Sequence, residues 1–135
     1  MSAALELQKA IFAALSAYAD LTEVVGSDGI HDHAPTDVAF PYVTFGRSSE
    51  SDWRTSTENG SEHIFTVHVW SKETGKAQTL TIMGLVRRAL HDTSLTLTDH
   101  RLVNLRAEYA DVRFNDDHSV YHGVMRLRAL IEPTA

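Results

Sequence analysis

EHIFTVHVWS, residues 62–71, leads through the turn KETG at 72–75 into KAQTLTIMGLVRRALHD at 76–92, and this stretch decides the fold. Phe65, Val67 and Val69 recur at every second position, with Ile64, Thr66, His68 and Trp70 between them. A period of two, with β-branched and aromatic residues, predicts a β-strand. After the turn the period changes. Ile82, Leu85, Val86, Ala89 and Leu90 recur at helical spacing, while Lys76, Gln78, Thr81, Arg87 and Arg88 take the opposite side. Arg87, Arg88 and His91 close the last turn, where cations suit the negative end of the helix dipole. A strand feeding an amphipathic helix predicts a small α+β domain.

The rest of the chain fits that frame. Its 135 residues allow one domain, expected to span 1–135, with a core of its own. A hydrophobic content of 43% beside 22% charged residues is that of a globular chain. No apolar run is long enough for a bilayer, and MSAALELQKA lacks a basic region leading into an apolar one, so neither membrane partner nor signal peptide is expected. The absence of cysteine excludes disulfides and thiolate chemistry and suits a protein built inside a cell. A formal charge of −6 argues against general attraction to nucleic acid or anionic lipid.

Ser2 is placed to cap a first helix whose stripe is Leu7, Ala10, Ile11, Ala14, Leu15 and Tyr18, with Glu6, Gln8 and Lys9 away from it. Residues 21–25 add a turn before Gly26. Short strands are expected at 30–33 and 42–46. Residues 48–61, SSESDWRTSTENGS, are polar and without period, and read as a hairpin arm or a loop. Trp53 stands out there, either folded back on its own domain or covered by a partner. Residues 102–112 alternate, with Val103, Leu105, Ala107 and Tyr109 on one side and Asn104, Arg106 and Glu108 on the other. After a turn at Asn115, Asp116 and Asp117, a last strand turns Tyr121, Met125, Leu127, Ala129 and Ile131 inward and His122, Arg126 and Arg128 outward. The expected architecture is a mostly antiparallel sheet with two main helices on one face. Its other face, mixed and charged, is left to water or another subunit.

The search for chemistry yields no catalytic constellation. His31 and His33 share a strand face beside Asp32, but the further ligands a zinc site requires are not supplied at a recognisable spacing. In a strand, His118 and His122 stand about 13 Å apart, too far to share a metal. His68 beside Trp70 reads as a half-buried interface histidine. No serine sits in a nucleophile elbow, and the seven glycines form no phosphate loop. Arginines at 87, 88, 101, 106, 113, 126 and 128 are interleaved with Glu and Asp, which describes a solvated or subunit-facing surface.

Several segments taken together resemble a known family. They are FPYVTFG at 40–46, Asp52–Trp53, TENGSEHIFTVHVWS at 57–71, RRALHD at 87–92, LTLTDHRLVNLR at 95–106 and HGVMRLRALIEP at 122–133. Their order is similar to that of the tail-completion or tail-terminator proteins of long-tailed bacteriophages and gene transfer agents. The resemblance implies a ring-forming α+β subunit, a hexamer in relatives, at the head-proximal end of the tail tube in the virion, assembled in the host cytoplasm. There it ends tube polymerisation and meets the neck or connector proteins, with DNA only passing through the lumen. No catalytic residue, metal or cofactor is implied. Interface candidates on this reading are Asp52, Trp53 and Arg54 on the arm, His68 and Trp70 on the sheet, and Arg106, Glu108, Arg126 and Arg128, whose charges can set register. The rival readings are a head–tail adaptor of the same particle, a small metal-dependent cytoplasmic enzyme using His31, Asp32 and His33, and a free regulatory binding module.

Overall fold

A computed structural model of the chain describes residues 1–54 and 59–134. Among the described residues three helices and five strands follow in the order α1 (Ala3–Ser16), α2 (Ala19–Val25), β1 (Ile30–His31), β2 (Tyr42–Asp52), β3 (Ser61–Ser71), α3 (Ala77–Leu90), β4 (His100–Asn115) and β5 (Val120–Pro133). The sheet order is β1-β2-β3-β5-β4, antiparallel throughout except for the short β1–β2 pair. This is the α+β sheet with helices on one face that the alternating and helical periods predicted.

The Ser2 hydroxyl accepts the Leu5 N–H at 3.2 Å and starts α1 as expected. Leu7, Ile11 and Leu15 from α1 and Ile82, Met83, Val86 and Leu90 from α3 pack on Phe65, Val67 and Val69 of β3. Met125, Leu127, Ala129 and Ile131 of β5 complete this layer, each 3% exposed or less. Side chains alternate across a strand, so the outward set of β3 and β5 is left free of this core.

Four features depart from the sequence reading. Residues 19–25 form a helix of their own, because Tyr18 is extended and redirects the chain so that Leu21 and Val25, one turn apart, both reach the core. Residues 48–52, which carry no apolar period, nevertheless extend β2, held by backbone pairing to β3 from Ser48↔Phe65 to Asp52↔Ser61. The arm reading therefore holds at its base, and the ladder continues with the Trp53 N–H on the Gly60 carbonyl at 2.9 Å. Residues 55–58 of that stretch lie outside the described residues.

The third departure is in β4, where the pairing register shifts between Leu102 and Asn104 and again between Ala107 and Tyr109. Each shift is a bulge that turns the following side chains over. Leu105 and Ala107 point inward as expected, but Val103 and Tyr109 are 44% and 45% exposed. The fourth concerns Glu6, which is buried at 3% exposure rather than standing away from the stripe. Its carboxylate accepts the Asp99 N–H at 2.6 Å and pairs with the His100 ring, so α1 is tied to the start of β4. Burial pushes this carboxyl up, but the hydrogen bonds from Asp99 and His100 more than offset that and hold it below the ordinary carboxylate range.

Candidate functional site

The face of the sheet opposite the helices carries a built arrangement of rings and charges. Trp70 on β3 lies directly across from His122 on β5, and the two rings stack at 3.9 Å between centroids and 4° between planes. His68, two residues before Trp70 on the same face, holds its Nδ1 2.7 Å from His122 Nε2. Tyr42 of β2 extends the row, stacked on Trp70 at 6.2 Å, and the Trp70 N–H donates to the Thr44 hydroxyl at 3.0 Å. An imidazole pair bonded nitrogen to nitrogen needs one N–H and one bare lone pair.

That requirement keeps at least one of the two rings neutral, and burial works against charging either. Burial pulls the His68 imidazole below its ordinary range. Burial, then His68 and Arg113, pull His122 down to about 4, with Asp111 opposing. The row also depends on a glycine. A Cβ on Gly46 of β2 would sit 2.0 Å from His68 Nε2, so only a residue without a side chain lets that ring lie flat over the strand.

Beside the imidazoles the face opens into a concavity of about 510 Å³. Arg47 and Ser49 of β2, Ile64 and Thr66 of β3, Tyr109 and Arg113 of β4 and Arg126 of β5 border it. The Arg126 guanidinium lies over the Tyr109 ring at 4.6 Å, a cation–π contact that the β4 bulge makes available by turning Tyr109 outward. Arg113 is paired with Asp111 at 2.9 Å.

Of the residues singled out from sequence, this face brings together His68, Trp70, Arg126 and Arg128. Arg128 is half-buried and spends its charge inside the chain, on Glu62 at 2.6 Å. Arg106 is opposite Arg128 in register but reaches Asp92 at 3.6 Å. Glu108, in the second bulge of β4, is exposed. Asp52 and Arg54 pair with each other at 2.8 Å at the base of the arm. Trp53 is half-buried and folded over Gly60, where a Cβ would meet its ring at 2.7 Å. His31 leans edge-on against Tyr42, while Asp32 and His33 are exposed. Among the described residues no group of three or more His, Asp or Glu is arranged to hold a metal ion, and no helix is long and apolar enough to cross a membrane.

Two features escaped the sequence reading. His122 was weighed against His118, four residues away, whereas its partner is His68 from another strand; only the β3–β5 register shows this. His63 is the other: it is completely buried at the inner side of β3, with Ser61 Oγ 2.8 Å from its Nε2, and no sequence pattern marks that burial.

With this geometry in view, the likenesses to other proteins fall into place. Residues 9–132 match the family described as tail completion protein gp17. Among solved structures the chain superposes on a chain of the virion of a native gene transfer agent particle, with a TM-score of 0.88 and 28% identity. The match covers 98% of this chain and 99% of that one. No curated protein matches. The enzyme reading built on His31, Asp32 and His33 is thereby set aside. The chain belongs to the tail completion protein gp17 family and is a non-catalytic structural protein of a virion tail.

Proposed function

We propose that the whole chain, residues 1–135, acts as one subunit of a hexameric ring on the head-proximal end of the tail tube. The ring ends tube polymerisation and presents its other side to the neck or connector proteins of the head, while DNA passes through the lumen without specific contact. The observation that carries this reading is the outer sheet face. An organised row of Tyr42, Trp70, His122 and His68 beside an arginine-lined concavity is left uncovered by the chain's own helices. Ordered aromatics and arginines on an uncovered face are what protein interfaces are built from. The arm that carries Asp52, Trp53 and Arg54 is a second contact, reaching a neighbour or the tube.

Deleting the gene and imaging the particles tests the role. Overlong tails, or tails detached from heads, are expected; tails of normal length joined to heads would contradict it. Adding purified protein to isolated tail tubes and to isolated heads separates a tube cap from a head-bound adaptor. Trp53→Ala is expected to weaken assembly and leave the melting temperature of the free subunit within a few degrees of wild type.

A further inference from the structure

We propose that neighbouring copies join head to tail, the acidic shoulder around α2 and β1 of one seating in the arginine-lined concavity on the outer sheet face of the next. This rests on the ring reading above and names the two surfaces that make the ring.

The charge distribution carries the inference. Between Lys9 and Arg47 the chain has no lysine or arginine, yet it has five carboxylates, Asp20, Glu23, Asp28, Asp32 and Asp37. All five are exposed. None forms an ion pair among the described residues, although nine such pairs or termini contacts occur elsewhere. They lie on α2 and on the loops either side of β1, which is one edge of the sheet.

The concavity is the counterpart. Arg47 and Arg126 have no carboxylate partner among the described residues, and Arg113 shares only Asp111. Arg126 is already oriented by the Tyr109 ring, so little side-chain freedom remains to be lost when it meets a carboxylate. A planar guanidinium takes a carboxylate through two parallel hydrogen bonds, which favours Asp and Glu over other occupants. The anionic and cationic surfaces are different parts of one chain, so each copy can offer its shoulder to one neighbour and its concavity to another. A contact between unlike surfaces repeats from copy to copy and closes when the rotation allows, giving a ring. The acidic occupant is therefore a second copy of this chain.

The test uses two charge-reversed proteins, Arg47→Glu with Arg126→Glu and Asp28→Lys with Asp32→Lys, each checked for a cooperative melt and sized by native mass spectrometry beside wild type. Each alone is expected to raise the dissociation constant of the ring by about tenfold or more. Mixed one to one they are expected to restore rings in which the two alternate, because each then offers the surface the other lacks. Folded variants that assemble as wild type does, or a mixture that stays monomeric when both parents do, overturn the proposal while leaving the ring itself standing. Wild type that is monomeric at assembly concentrations overturns the ring reading, and this proposal with it. Should either variant fail to fold, the salt dependence of the wild-type ring decides. Dissociation that rises between 0.1 and 1 M salt, on the order of the screening range of exposed charges, supports the contact, and an insensitive ring refutes it.

Discussion

At the scale of single residues, the imidazole pair shows how much a sheet face depends on one missing methyl. Gly46→Ala places a Cβ where His68 Nε2 now lies, 2.0 Å away, and the ring cannot turn aside without breaking its 2.7 Å bond to His122. A loss of about 1–3 kcal/mol in denaturant unfolding is expected, the cost of forcing atoms into a packed site. The same pair predicts a pH dependence. His122 is held neutral in the fold down to about 4, whereas in the unfolded chain it binds a proton near 6.5. A depressed imidazole leaves stability intact above the unfolded value and removes it as pH falls from 6.5 toward 4. His68 and His63 are lowered too, both chiefly by burial, and act in the same direction. Because the His122 ring is only half-buried and partly screened, the loss attributable to it is on the order of 1–2 kcal/mol rather than the full shift. Unfolding free energies at pH 7 and pH 5 check this: His122→Gln should flatten the dependence in part, and an unchanged slope would remove His122 as its source.

Among the elements, the tie between α1 and β4 is the most specific. Two distant segments meet through one buried carboxylate, Glu6, with the Asp99 N–H and the His100 ring. Glu6→Ala leaves that N–H and ring without their acceptor, and the melting temperature should drop by several degrees with α1 loosened first in hydrogen exchange. Elements with a strong period were legible in the sequence: β3, α3, α1 and β5 stand where alternation or an apolar stripe placed them. What was not legible was long-range. Glu6 has no apolar spacing to advertise its burial, because its partner arrives from residues 99–100. The bulges of β4 carry no glycine or proline signal, so strict alternation assigned Val103 and Tyr109 to the wrong side. The outer face was legible as mixed and charged, and His68 and Trp70 as neighbours on it, since a strand's parity is local. The stack with His122 was not, since register between strands that are not consecutive in the chain follows from the whole fold.

For the whole molecule, a subunit that is to be built into a particle has to avoid wrong pairing first, and β4 bears on that. It is a strand of 16 residues at the rim of the sheet, and a long free rim is a template for fibre growth. The two places where its ladder skips a residue interrupt the row of free N–H and C=O groups that a stranger's strand would copy. Deleting Glu108 should restore a straight ladder on that side. The shortened chain is expected to bind thioflavin and pellet within hours under conditions where the parent stays clear, and a clear solution would argue against this safeguard. The same irregularity that hides Val103 and Tyr109 from sequence inspection thus gives the idle subunit its shelf life.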